Sequence, residues 1–207
     1  HHRARGQVSH QRVVEAVDRA LGRSVAIKQS LATSAVDLAR FEREVRITAQ
    51  LQHPSVIPIL DVGRDPEGHP FYIMRKIEGE PLADRVMLAE TTRDRLALIA
   101  SFLGAVDAAA YAHAKRIIHR DIKPWNILLG PFGETLLIDW GIARELDDEH
   151  EDPTTLAAAD TGVGLTRLGV AQGTPGFLAP EQARGEVVDA RADVYSLGAT
   201  LFYILAN

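Results

Sequence analysis

Eight consecutive residues, His119-Arg120-Asp121-Ile122-Lys123-Pro124-Trp125-Asn126, constrain this chain more than any other stretch. They follow a long segment of helical periodicity and run straight into the apolar Ile127-Leu128-Leu129. Set between two packed elements, the octapeptide reads as a loop that carries chemistry rather than an idle polar turn.

The chain changes character on either side of Gly79. Before it, Val13-Val14-Glu15-Ala16-Val17 and Ser24-Val25-Ala26-Ile27-Lys28 are short β-branched runs with turn residues between them, which predicts a hairpin. Residues 36–51 place Leu38, Phe41, Val45, Thr48 and Leu51 at helical spacing, and His53-Pro54 ends that helix. Residues 56–62 and 70–77 read as two further strands around a Gly/Pro/Asp turn. After Gly79, residues 92–115 predict a long Ala-rich helix with Leu96, Ile99, Leu103, Val106, Ala110 and His113 on one face. Short strands and loop follow to 138, an acidic loop spans 145–160, and 189–206 is helical again. The boundary between the two parts falls within 76–81.

Composition narrows the class. With 207 residues, 46% hydrophobic and 25% charged, the chain suits one globular domain or two small lobes sharing a cleft. A net charge of −5 speaks against a nucleic-acid binder. The absence of cysteine excludes disulfides and thiolate metal sites and fits a reducing compartment. No apolar run is expected to reach the roughly 18 residues of a membrane span, and no signal peptide is read. The first residue is His1 rather than Met, and Asn207 ends inside an apolar segment. We therefore expect a piece of a longer protein, cytoplasmic or the cytoplasmic part of a membrane-anchored one.

The polar residues suit one reaction type. Phosphoryl transfer needs a cradle for a triphosphate, cations to neutralise it, a base for the nucleophile and a surface for the acceptor. Asp121 can accept the proton of an attacking hydroxyl, Lys123 can reach the transferred phosphoryl, and Asn126 can offer its amide oxygen to magnesium. Asp139, in Ile138-Asp139-Trp140-Gly141, follows an apolar strand and sits 18 residues after Asp121, placed to chelate the same ion. Lys28, at the end of Val25-Ala26-Ile27-Lys28, can contact phosphates, and Glu44 in the next helix is its natural partner. Gly173-Thr174-Pro175-Gly176-Phe177-Leu178-Ala179-Pro180-Glu181 reads as a structured turn and docking surface.

These motifs, in this order, match the signature set of protein kinases. The chain resembles the bacterial, eukaryotic-like serine/threonine members of that family. Pro180-Glu181-Gln182-Ala183-Arg184-Gly185 and Asp193-Val194-Tyr195-Ser196-Leu197-Gly198 are phrased in their manner. The resemblance implies an α+β, bilobal protein kinase-like fold. Residues 1–78 would form an N-lobe of antiparallel sheet plus one helix, and 79–207 a mostly helical C-lobe whose last helices are missing. It implies ATP and Mg2+, with Mn2+ as the alternative ion. It also implies protein Ser/Thr substrates, self-association for autophosphorylation, and a role in signalling. Asp121 would be the base, Lys123 would steady the γ-phosphate, Asn126 and Asp139 would hold metal, and Lys28 paired with Glu44 would orient ATP. Gly6 would begin the phosphate-covering loop. Met74 would be the gatekeeper, Arg75 to Ile77 the adenine-binding hinge, and Val13, Ala26 and Leu128 the ring's apolar sandwich. Thr48, Ile59, His119 and Trp140 would stack between the lobes, and Asp193 would anchor the catalytic loop. Serine/threonine specificity is implied by Lys123-Pro124 and by Thr174.

The chain also departs from the family pattern. Only Gly6 survives of the glycine-rich loop, and Trp125 and Trp140 replace a small or acidic residue and a phenylalanine. The eroded glycine loop and the missing last helices keep a pseudokinase scaffold as the alternative. A small-molecule phosphotransferase would lack the Gly-Thr-Pro and Ala-Pro-Glu segment. The arginine that pairs with Glu181 in the family is also missing, which predicts a carboxylate without its partner. Arg40 lies one helical turn before Glu44, Arg120 directly before Asp121, and Arg144 just after Gly141. The three arginines are expected to converge on a phosphorylated Thr166. Thr166→Ala should therefore lower kinase activity and Thr161→Ala should not. Equal rates for Thr166→Ala and the parent in a peptide phosphorylation assay would refute the assignment.

Overall fold

The computed structural model describes residues 11–147 and 174–206. Gly6, Thr166, Thr161 and the acidic run from 148 onward lie outside them. Strands β1 (Gln11–Asp18) and β2 (Arg23–Ser30) form the expected hairpin. Asp18 closes its turn by accepting the Ala20 and Leu21 N–H groups, and Gly22 takes a φ of 64° that a side chain would oppose. Helix α1 (Ala35–Gln50) begins at Ser34, whose hydroxyl accepts the Asp37 N–H at 3.1 Å. Strands β3 (Ile59–Arg64) and β4 (Pro70–Arg75) complete a four-stranded antiparallel sheet of order β1-β2-β4-β3. β3 starts later than its sequence suggests. Val56 is instead buried in the loop, where it joins the core of the second half.

From Glu80 onward the strand pairing changes partner. β5 (Glu80–Pro81) pairs with β7 (Ile127–Leu129), which pairs with β8 (Thr135–Leu137). Helix α2 (Leu82–Leu88) follows β5. Helices α3 (Thr92–Ala97) and α4 (Ile99–Ala114) occupy the predicted long helical segment, separated at Leu98. α3 opens with a capping box between Thr91 and Asp94. The buried face of α4 is Phe102, Ala105, Ala108, Ala109 and Ala112, while Leu103 and Ala110 point outward. The expected face is thus rotated, and the helix approaches β8 closely at Gly104, where a Cβ would lie 2.9 Å from Thr135 Cβ. Thr92–Ala114 is also long and apolar enough to cross a membrane, contrary to expectation, although its alanine face packs in this core.

β6 (Ile117–Ile118) leads into the octapeptide and pairs with β9 (Arg144–Glu145). The acidic segment therefore begins as a strand rather than as loop. α5 (Pro180–Ala183) and α6 (Ala190–Ala206) complete the second half. The first half is a sheet with one helix and the second mostly helical, which is the bilobal α+β architecture expected. One apolar cluster crosses between them, joining Ile47, Leu51 and Val56 to Leu82, Phe102, Ile127, Leu137 and Trp140. Glu181 is half-buried rather than enclosed, so water reaches the carboxylate expected to lack a partner.

Gly79 sits where the two pairings meet. A Cβ there would lie 2.7 Å from the Leu129 carbonyl oxygen, a backbone atom that cannot swing aside. Gly79→Ala should lower stability by about 1–3 kcal/mol, read as the denaturation midpoint, whereas Glu78→Ala beside it should leave the midpoint unchanged.

Candidate active site

A cavity of about 450 Å³ lies between the sheet and the second half of the chain. Its size suits a nucleotide-sized ligand. Val13, Ala26, Met74 and Leu128 supply apolar walls, and Arg75 and Ile77 lie along the strand exit. All six were expected there, and antiparallel pairing sets Ala26 directly beside Met74. Lys76, between Arg75 and Ile77 in the expected hinge, lines it too, as do Ile57, Leu137, Ile138 and Glu15, to which sequence reasoning had assigned no part. Lys76 reaches across the opening to Glu15 at 2.7 Å.

Lys28 projects from β2 into this cavity and donates to Glu44 Oε1 at 2.5 Å. Both side chains are largely withdrawn from solvent. Tyr72, paired with Lys28 across β2 and β4, donates its hydroxyl to the same oxygen at 2.8 Å. Burial, followed by the neighbouring Glu44 charge, pushes the Tyr72 phenol far above its usual range, so it stays a donor. Tyr72 was missed because nothing local marks it. Its one signal is the strand alternation that sets it on the face of Met74.

The octapeptide supplies a second cluster. Lys123 Nζ lies 2.6 Å from Asp121 Oδ2 and 2.8 Å from Thr174 Oγ1. Asn126 Nδ2 donates to the Asp121 carbonyl at 2.9 Å and to its carboxylate at 3.0 Å. Because Asn126 spends its amide nitrogen on Asp121, its oxygen is the atom left for a cation. Asp139 lines the cavity with a φ of 67°, and the Ile138 N–H donates to the Asn126 carbonyl. Asn126 and Asp139 together offer hard oxygen donors, which suits a divalent cation of the magnesium type. Gly141 follows Asp139 closely: a Cβ there would fall 3.1 Å from Asp139 Oδ1 and 3.5 Å from Glu44 Oε2.

Two aromatic rings brace the turn. Trp140 is 3% exposed, its ring centroid lies 4.5 Å from that of His119, and its indole N–H donates to the Leu137 carbonyl at 3.3 Å. A phenylalanine would lack that last bond. Thr48 lines the cavity beside Trp140, while Ile59 is only half-buried at the start of β3.

The loop's backbone is held in an uncommon shape. Arg120 adopts a φ of 70°, costly for a bulky non-glycine residue unless neighbours enforce it. Its N–H donates to Asp193 Oδ1 at 2.8 Å, and its carbonyl accepts from Gln182 Nε2 at 2.7 Å. Asp193 Oδ2 also accepts the His119 N–H at 2.8 Å and lies 2.7 Å from His113 Nε2. Gln182 had no assigned role, and only its place after Ala179-Pro180-Glu181 hinted at one. Of the expected regulatory residues, Arg144 pairs with Ile118 across β6 and β9, two positions before Arg120. Arg40 is half-buried on α1 one turn ahead of Glu44. Gly6 and Thr166 lie outside the described residues.

A sequence profile described as the protein kinase domain matches residues 4–207. The chain belongs to the protein kinase family. It is 37% identical over 203 residues to the DNA damage-responsive serine/threonine-protein kinase RqkA of Deinococcus radiodurans, covering 96% of this chain and 28% of that protein. It is 37% identical to the probable serine/threonine-protein kinase PknB of Bifidobacterium longum, with 93% of this chain and 28% of that protein covered. It is 39% identical to the serine/threonine-protein kinase PknB of Mycolicibacterium smegmatis, with 92% and 29% covered. The chain thus spans less than a third of the length of these relatives. All three carry kinase names, and the likeness lends no support to a non-catalytic scaffold. A protein kinase domain implies protein substrates, ATP and a divalent cation.

Burial pushes the Asp193 carboxyl up, but the hydrogen bond from His113, the His119 charge and the His119 and Arg120 N–H groups outweigh it, leaving it below the usual carboxylate range. Its contribution to stability is therefore complete above the unfolded carboxyl's pKa and is lost as pH falls through the lower folded value. Asp193→Asn should cost about 3 kcal/mol at pH 7 and less towards pH 3, followed by chemical denaturation at each pH. A loss that stays constant with pH would contradict the ionised anchor.

Proposed function

We propose that this protein transfers the γ-phosphoryl of ATP to serine or threonine hydroxyls of proteins. The carrying observation is one cavity lined by Lys28, Glu44, Tyr72 and Asp139, with the hydrogen-bonded cluster of Asp121, Lys123 and Asn126 joined to the Asp139 turn through the Ile138 N–H bond to the Asn126 carbonyl. In this reading residues 1–78 bind nucleotide and 79–207 carry the acceptor side. The adenine ring lies between Val13, Ala26 and Leu128, with the backbone of Arg75 to Ile77 as its hydrogen-bonding edge and Met74 behind it. Lys28, oriented by Glu44, meets the α and β phosphates. Tyr72 holds the second lone pair of the same Glu44 oxygen, so the carboxylate keeps one position.

Asp121 accepts the proton of the acceptor hydroxyl as the new O–P bond forms and the bond to the β-phosphate oxygen breaks, releasing ADP. Lys123 neutralises charge on the moving phosphoryl, and its contact with Thr174 links that charge to the acceptor surface. Thr174 beside Lys123 supports serine or threonine as acceptor. Asn126 and Asp139 would hold Mg2+, with Mn2+ as the alternative ion, which supplies charge neutralisation on the phosphates. Control by phosphate on Thr166, gathered by Arg40, Arg120 and Arg144, and self-association for autophosphorylation belong to the same reading. So do a cytoplasmic location, where ATP is held, and a role in signalling.

Incubating the full natural protein with Mg·ATP and reading its intact mass tests the assignment. The parent should gain steps of one phosphate, and Asp139→Asn should gain none. A folded parent that phosphorylates neither itself nor a generic acceptor protein would overturn it.

A further inference from the structure

β1 is the edge strand of its sheet, paired with β2 in the order β1-β2-β4-β3. Side chains two residues apart on a strand share a face, so Glu15 stands on the same side as Val13. Antiparallel pairing sets Glu15 opposite Ala26, and Ala26 opposite Met74. Glu15 thus lines the cavity from the strand that carries Val13, while Lys76 lines it from just past the end of β4. Between the two, Lys76 Nζ meets Glu15 Oε1 at 2.7 Å, with Glu78 Oε1 farther off at 3.9 Å. The hydrogen bond to Glu15, ahead of the Glu15 and Glu78 charges, raises the Lys76 ammonium above its ordinary range, so it stays charged at neutral pH. Among the described residues, no strand pairing joins β1 to the segment after β4. The ion pair is therefore a side-chain tie between two parts of the cavity wall that the sheet itself does not connect.

We infer that Glu15 and Lys76 form a clasp over the mouth of the nucleotide cavity, which opens when nucleotide leaves and so sets how long ADP stays bound. The inference rests on the kinase reading above. An adenine ring between Val13, Ala26 and Leu128, with its edge against the backbone of Arg75 to Ile77, sits between the two ends of this clasp. Glu15 is two residues from Val13, and Lys76 lies within the segment that meets the ring's edge. For the ring to leave, β1 must lift or Lys76 must swing aside, and either motion breaks the contact. An edge strand with one neighbour is the part of a sheet that lifts most readily. Glu15 is exposed and Lys76 half-buried, so the pair adds little to the stability of the fold. Its effect on release is separate, because the contact is made in the closed cavity and lost in the open one. Slow release of product commonly limits turnover, so a modest tie at this point acts on the reaction as a whole.

The test loads the full natural protein with a fluorescent ADP analogue and Mg2+, chases it with excess unlabelled ATP, and reads the release rate by stopped flow. At low salt, Glu15→Gln and Lys76→Met should each speed release about two- to fivefold. The double variant should release no faster than either single one, because both substitutions remove the same contact. At ~0.5 M salt the gap between parent and variants should close, since exposed charges are screened there. Glu78→Gln should leave the rate at the parental value, as its carboxylate lies farther from Lys76. Equal rates for the parent and both single variants, effects that multiply in the double variant, a gap that persists at high salt, or a Glu78→Gln effect as large as that of Glu15→Gln would overturn the clasp while leaving kinase activity standing. A folded parent that binds neither the ADP analogue nor ATP would overturn the kinase reading and this inference with it.

Discussion

The buried carboxylate of Asp193 is the constraint around which the lower half is arranged. One oxygen holds the Arg120 N–H, and the other holds the His119 N–H and meets His113. A charge with no solvent contact is tolerable only when its hydrogen-bonding capacity is filled by fixed donors. Filling it draws α4, α6 and the start of the octapeptide to one point. Gln182 then grips the Arg120 carbonyl from the opposite side. Between these clamps the peptide at Arg120 is held in a left-handed conformation it would otherwise leave, and Asp121 is aimed by a backbone that cannot relax.

The upper half solves a different problem with a similar economy of groups. A lysine facing a nucleotide cavity must stay extended without collapsing onto its own strand. Glu44 receives it from α1, and Tyr72 from the neighbouring strand fixes the oxygen that does so. The apolar cluster running from Ile47 to Leu137 ties the placement of α1 to the lower half. Trp140 belongs to that cluster and packs at a tilt against His119, so the turn carrying Asp139 is braced against the loop carrying Asp121. Its indole bond to Leu137 is an added restraint that the larger ring makes available.

Much of the site was legible because its residues are close in sequence and chemically unusual. Asp121, Lys123 and Asn126 fall within six residues, and a loop that short brings them together without help from the rest of the fold. Val13, Ala26 and Met74 were legible through strand periodicity once the hairpin and its neighbour were recognised. Tyr72 and Gln182 were not, since each matters through a partner far along the chain. The inward face of α4 was misplaced for a related reason. Periodicity favoured Leu103, yet the helix buries Phe102, Ala105, Ala108, Ala109 and Ala112 and meets β8 at Gly104, where a Cβ would lie 2.9 Å from Thr135 Cβ.

Sequence alone determined the lobe architecture, the family, and Lys28, Glu44 and Asp139 among the ionisable groups that line the cavity. These follow from local patterning and from motifs whose spacing few other chemistries share. Tertiary structure decided which oxygen of Glu44 is shared and how Arg120 is held in its conformation. Those outcomes depend on the docking of α1, α5 and α6. Such docking is set by long-range packing and by the need to satisfy every buried polar group, and neither is written in any short stretch of residues.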